Sequence, residues 1–393
     1  MTSQLLENKW QETKGALMEG VEGTKAKNLD VVLENTRKYL SEQATSGATG
    51  SGNVATLNRV ILPVIRRVMP TVIANELVGV QPMTGPVGQI HTLRVRYADA
   101  TTGGATNIAA GDEALSPFKI ASSYSGNDSD PAKGSATATL EGAAGKKLNV
   151  QILKQVVEAK SRKLSARWTF EAAQDAQAQQ GIDVEAEIMA ALAQEITAEI
   201  DQEIIGSLRT LAGTASESFD QSAVSGTATF VGDEHAALAV LINRVANQIA
   251  TRTRRGAGNY AVVSPTALTI LQSATTSAFA RSTEGTFESP TNTKFVGTLN
   301  AAMRVYVDAY AADNTSVLVG YKGASEADAP AFYCPYIPLM SSGVVLDPST
   351  FEPVVGFLTR YGYVELTNTA SSLGNAADYV GLVGVNSTNL KFK

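Results

Sequence analysis

The sequence predicts an α+β fold, and three observations predict it. Val184, Ile188, Leu192, Ile196, Ile200, Ile204 and Leu208 recur every four residues among strong helix formers, with no glycine or proline before Gly206. Ile90 to Tyr97 alternates as a strand does, and Gln151 to Trp168 carries an extended, charge-rich pattern. Beyond the helix the chain returns in two blocks, one of which holds the apolar strand Tyr260–Val263 followed by a turn and a helical pattern.

Each segment follows in order. Residues 1–42 place Leu6, Trp10 and Leu17, then Leu29, Val32, Leu33, Thr36 and Leu40, at helical spacing, which predicts two amphipathic helices needing a partner surface to be stable. Gln43 to Asn53 reads QATSGATGSGN, a linker of small polar residues and the clearest boundary in the chain. Val60 to Val68 is apolar, flanked by Arg59, Arg66 and Arg67, and Pro70 stops any long helix there. From Gly79 a segment of two prolines and three glycines leads into the strand at Ile90, while 98–149 is loop-like. Residues 88–168 are therefore expected to form a long two-stranded excursion with an irregular tip. A strand pair burying so little is marginal alone, so it should lie on another copy of the chain.

The helix is expected from Asp183 to Leu211, with Asp183 as its cap and Glu185 and Glu187 favouring the dipole of its first turn. At about 1.5 Å per residue it would span roughly 40 Å, and a repeat of four makes its apolar stripe wrap, so it reads as a strut packed on more than one side. The full division is 1–42, 43–87, 88–168, 169–234, 235–345 and 346–393.

Composition limits function. The chain has 393 residues, enough for two to three domains. Charged residues are 18%, hydrophobic ones 44% and aromatic ones 6%, so the surface is built largely of small residues, and much of it should meet other protein. Thirty-two basic against 38 acidic side chains give a net charge of -6, against a coat on nucleic acid, which needs a basic footprint. Cys334, the sole cysteine, has no disulfide partner in the chain, which permits assembly in a reducing cytoplasm. Charges at Glu7, Lys9, Glu12, Lys14 and Glu19 interrupt any signal-peptide core, and the uncharged stretch Tyr260–Ala280 is too rich in hydroxyls for a membrane span. The sequons at Asn127, Asn314 and Asn386 then read as turn residues.

Charge is segregated. Glu141 to Phe170 holds Lys146, Lys147, Lys154, Lys160, Arg162, Lys163 and Arg167 against Glu141 and Glu158. Glu171 to Glu203 holds nine acids and no lysine or arginine. A solvated pattern within one monomer is one reading; the sharper one lays the basic excursion on an acidic surface of a neighbouring copy, with Lys154, Lys160, Arg162, Lys163 and Arg167 facing acids such as Glu185, Glu195 and Glu199.

No catalytic constellation emerges. Phosphate-loop, nucleophile-elbow and zinc motifs have no match, so no catalytic, cofactor or metal residue is expected. His91 and His235 read as structural. Asp128-Ser129-Asp130 opens like a calcium loop, yet Lys133 stands where its glycine belongs. The lone G-x-G at Gly256 to Gly258 precedes a strand when a dinucleotide fingerprint must follow one.

The stretches Gly79–Gln89 (GVQPMTGPVGQ), Val157–Ile188, Arg254–Pro265 (RRGAGNYAVVSP), Met303–Met340 and Asp347–Gly362 (DPSTFEPVVGFLTRYG) closely resemble the major capsid proteins of T-even-type tailed phages. The resemblance implies a Hong Kong 97-like fold. In it, 1–42 is a candidate propeptide, 43–87 the N-arm and linker, 88–168 the extended loop, and 169–234 the peripheral domain with its spine helix. Residues 235–345 would be the axial domain, and 346–393 the return to the peripheral domain. It implies a homo-oligomer of hexamers and pentamers forming an icosahedral head around double-stranded DNA, held without sequence-specific binding. Portal, scaffold, prohead protease and decoration proteins are the implied partners; no cofactor and no membrane are involved. A family-type Leu-x-Glu cleavage sequence stands at Leu40-Ser41-Glu42. Relatives carry a large domain inserted in the extended loop, and 98–149 is too short and too polar to be one. A pentameric vertex protein of the same family and an encapsulin-like nanocompartment shell remain alternatives, separated by copy number and by the presence of a genome. A soluble enzyme would need convergent carboxylates in a pocket.

Overall fold

The computed structural model describes residues 10, 14, 15, 18, 27, 28, 30–35, 72–101, 108–112, 114, 124–126, 134–141, 145–180, 184–224, 231–253, 255–274, 279–281, 294–312, 314–326, 328–350, 352–366, 376–388 and 390. The linker at 43–53, the apolar run at 60–68, the motif at 128–133 and the Leu40–Glu42 sequence lie outside the described residues.

The repeat of four produces the helix Val184–Ala212, 29 residues long. Leu192, Ile196, Ile200, Ile204 and Leu208 are buried, and a second row of Ala193, Thr197, Asp201 and Ile205 is buried beside them. Gly213, at a φ of +73°, follows the last helical residue, a left-handed position that costs a glycine nothing.

The strands in chain order are β1 (Gly79–Val80), β2 (Val87–Tyr97), β3 (Leu148–Glu158), β4 (Lys160–Arg167), β5 (Glu217–Phe219), β6 (Tyr260–Val263), β7 (Phe279–Arg281), β8 (Lys294–Leu299), β9 (Met303–Val307), β10 (Val317–Gly320), β11 (Ala331–Leu346), β12 (Pro353–Glu365) and β13 (Val380–Val385). With the helices they make an α+β chain, and it divides into two discontinuous units.

The first unit comprises Met1–Gly88, Val156–Ile205 and Phe332–Val364. Its sheet runs β1-β11-β12-β4, with β1 parallel to β11 and β12 antiparallel to β4, Val354 opposite Arg167 and Tyr361 opposite Lys160. Along β12 every second residue, Val355, Phe357, Thr359 and Tyr361, is buried, the period of two that a half-covered strand requires. The carboxylate of Asp201, buried in the long helix, accepts the Ile73 amide at 2.9 Å, which satisfies a charge otherwise costly to enclose.

The second unit comprises Gln89–Gln155, Gly206–Ala331 and Glu365–Lys393. Its seven strands run β5-β13-β10-β6-β9-β8-β7. The helix Val231–Thr253 packs Leu238, Ile242, Val245 and Ile249 into the core that holds Val319 and Val383. The helix Pro265–Ser273 begins as its sequence dictates: Ser264 caps it by accepting the Ala267 amide at 3.2 Å, and Pro265 occupies the first turn. Gly320 faces Tyr260 across the ladder, and a Cβ there would stand 2.2 Å from the buried phenol ring. Gly320→Ala is expected to cost about 2 kcal/mol or more of stability by overpacking, measured as a lower urea midpoint for the second unit with an unchanged slope.

The excursion differs from the sequence expectation in two ways. Its return is two strands: β3 pairs with β2, the chain is pinned where the Ala159 amide meets Pro86 O at 2.9 Å, and β4 joins the other sheet beside β12. The stretch read as irregular carries a small core of its own, in which Tyr97, Ile108, Ala114 and Tyr124 are buried and the two tyrosine rings lie 4.5 Å apart. The Tyr124 hydroxyl donates to Lys147 O and accepts the Asp99 amide, so the polar stretch is folded around one aromatic pair.

Candidate assembly surfaces

Two features of the excursion stand out. Along β3, Leu148, Val150, Ile152 and Val156 are 53, 63, 67 and 55% exposed. They occupy alternate positions and so share one face of the strand, over about 26 Å at 3.3 Å per residue. Lys154 lies in the same row and is exposed. Four aliphatic side chains open to solvent in register form an apolar stripe interrupted at Lys154, the kind of surface that a partner covers. The sequence reading missed this stripe. Its signal, Leu-x-Val-x-Ile-x-Lys-x-Val, was present, but alternation reports only that side chains share a face.

The second feature is a charged clamp on the first unit. Arg162, on β4, donates through Nη1 to Glu199 at 2.8 Å and through Nη2 to Glu203 at 2.6 Å, both on the long helix, and its Nε donates to the Tyr361 hydroxyl on β12. Tyr361 in turn donates to Glu203, closing a ring of partners. Burial pushes the Glu203 carboxyl up, but the hydrogen bonds from Tyr361 and Arg162 outweigh it and hold Glu203 below the usual carboxylate range. The Tyr361 phenol is pushed up, by burial first and by donating to Glu203 second.

The remaining sequence-derived candidates fall elsewhere. Lys154, Lys160 and Lys163 are exposed, as are Glu195 and Glu199, while Glu185 is half-buried. Arg167 is 70% exposed in its side chain, 3.7 Å from Glu352. The structure thus brings Arg162 to Glu199 inside one chain; among the described residues of the first unit no salt bridge joins Lys160, Lys163 or Arg167 to Glu185 or Glu195.

His91 is exposed, and His235 is buried with Nδ1 against the Ser273 hydroxyl. Cys334 is buried, which pushes its thiol up to about 12 and leaves it protonated at neutral pH. Among the described residues no group of histidine, cysteine or carboxylate side chains could hold a metal, and no helix is long and apolar enough to cross a membrane.

Comparison with known proteins gives first a class. The chain is similar to the major capsid protein of Vibrio phage KVP40, 30% identical over 91% of this chain and 86% of that one. It is also similar to the major capsid protein of Enterobacteria phage T6, 31% identical over 82% of this chain and 81% of that one. A chain solved from Mycobacterium phage Cain is 12% identical, covers 81% of this chain and 90% of its own, and has a TM-score of 0.47. The family model of the major capsid protein Gp23 matches residues 54–385. The chain belongs to the Gp23 family of phage major capsid proteins.

Proposed function

We propose that the chain is the shell subunit of a tailed-phage head, assembling as hexamers and pentamers on the Hong Kong 97-like plan around double-stranded DNA. The observation that carries the reading, beside family membership, is the aliphatic stripe of β3, which is open in the single chain and would be covered when the excursion lies on a neighbouring copy. The exposed Lys154, Lys160, Lys163 and Arg167 would set register against acids such as Glu185 and Glu195 of that neighbour, steering the contact more than tightening it. Heterologous contacts of this kind close rings. A subunit of net charge -6 does not glue a polyanionic genome to the wall. Portal, scaffold, prohead protease and decoration proteins are the partners this role calls for, in the host cytoplasm during assembly and in the virion afterwards, with Glu42 the candidate cleavage position.

Electron microscopy of purified particles tests the role: genome-filled icosahedral heads in which this chain dominates support it, and cargo-filled, genome-free shells overturn it. Reversing Lys160 and Lys163 to glutamate is expected to impair capsomer assembly with an unchanged circular dichroism spectrum. Shells of normal yield and size from that variant would defeat the neighbour-contact reading. Arg162 is left out of this pair because it hydrogen-bonds Glu199, Glu203 and Tyr361 of its own chain, whereas Lys160 acts on Glu203 only through space.

A further inference from the structure

The edges of the four-stranded sheet are β1 and β4, and edge strands invite pairing with other chains unless something covers them; the case in point is β1. Here the cover is the N-terminal segment. Residues 27, 28 and 30–35 are helical, with Val32 and Leu33 fully buried. Asn35 is 7% exposed, and its amide nitrogen donates to Met83 O at 2.7 Å and to Tyr336 O at 3.1 Å. One side chain thereby clamps both strands just past the β1–β11 pairing, where the Met83 amide still meets Pro335 O at 3.0 Å. Asn28 donates to Val80 O at 3.5 Å.

The spacing is a ruler. Asn28 and Asn35 are seven residues apart, close to two helical turns, so they share a face and stand about 10 Å apart along the axis. Val80 and Met83 are three residues apart, about 10 Å of extended chain. A helix running along the strand therefore meets main-chain carbonyls at both ends of this interval, with its aliphatic pair buried between them. The segment is also stapled to the residues before it: Lys14 reaches Asp30 at 2.6 Å and Glu34 at 3.5 Å, and the Trp10 indole donates to Glu34 at 3.3 Å.

We propose that residues 27–35 are a separable cap, and that the β1 edge with the Met83 and Tyr336 carbonyls is a peptide-recognition site whose ligand is this segment. The site holds the segment by its own contacts, not by the covalent connection. Once the chain is cut in the polar linker at 43–53, the segment behaves as a bound peptide that a second copy of the same peptide can replace. The inference stands apart from the shell reading, since it needs no assembled particle.

The test places a sequence-specific protease site within Gln43–Asn53 of the full chain and cuts after folding. The N-terminal piece is expected to co-elute with the body at micromolar concentration and to leave when excess synthetic peptide of residues 24–37 is added, the peptide then co-eluting in its place. Asn35→Asp places a carboxylate against two carbonyl oxygens and is expected to weaken retention about tenfold or more. A wild-type piece that leaves on cutting, or that the peptide does not displace, overturns the proposal. So does an Asn35→Asp piece retained as well as the wild type. Because cutting follows folding, the wild-type result decides even if that variant does not fold, and Val32→Ser offers a second, apolar lesion with the same expected direction.

Discussion

Replacing Val150 and Ile152 together by aspartate is expected to abolish shell assembly while the single chain stays folded. Both side chains are more than 60% exposed, so in the monomer the change leaves the buried core untouched and should cost about 1–2 kcal/mol, the loss of two strand-favouring residues. In an assembly that covers the β3 stripe the same change acts twice. It removes the apolar burial of two aliphatic side chains, about 1.5–3 kcal/mol each. It also encloses two carboxylates for which the stripe offers only Lys154, and an enclosed unpaired charge costs several kcal/mol. Repeated at each contact around a capsomer, a deficit of this size leaves no closed shell. The measurement is particle yield by sedimentation and microscopy, beside circular dichroism of the soluble chain. Normal particles would show that the stripe faces solvent in the shell, and would remove the main physical support for the excursion as the assembly limb.

Arg162→Glu is expected to act on the chain itself. The guanidinium joins β4, β12 and the long helix through Glu199, Glu203 and Tyr361, and reversal sets a third carboxylate against two. The partners are one third to one half exposed, so solvent discounts each pair to about 0.2–1 kcal/mol; two lost pairs plus the new repulsion give about 2 kcal/mol of destabilisation of the first unit. The wild-type clamp also has a pH signature. Glu203 is held below its ordinary range, so its contribution is fully present above the ordinary carboxylate pKa of about 4.5 and is lost as pH falls through the lower folded value. Glu203→Gln should flatten that acid limb of a stability-against-pH curve. An unaltered limb in Glu203→Gln, or an Arg162→Glu chain as stable as the wild type, would show the clamp contributes nothing.

The long helix was legible in the sequence because its signal is local: aliphatic residues recurring every four positions among strong helix formers. The strand, turn and helix after Tyr260 were likewise legible, from an apolar run and a helical pattern rather than from the cap at Ser264 and the first-turn proline, which also act within one turn of backbone. The motif blocks carried the family. The expectation for 98–149 was less complete: Tyr97 and Tyr124 are far apart in sequence, and nothing local says that one ring will rest against the other. The change of partner at Ala159 was hidden for the same reason, because β3 and β4 are both extended and only Ala159 stands between them, with nothing local to say which sheet each joins.

Arg162 shows the limit most clearly. Its positive charge and the acids at Glu199 and Glu203 are plain in the sequence, and segregation of charge suggested contact between copies. Proximity in three dimensions assigned this residue to its own chain, put Lys160 near enough to Glu203 to help hold its carboxyl down, and left Lys154 and Lys163 exposed. Asn28 and Asn35 are ordinary residues in a helical pattern until the strand carbonyls stand next to them. What the sequence by itself determined was periodicity, chain reversal, charge and kinship, all set by residues within a few positions of each other or by whole blocks of text. Which faces are covered by the same molecule, and which are left open for another, was decided only by tertiary structure, because burial depends on contacts between segments tens to hundreds of residues apart.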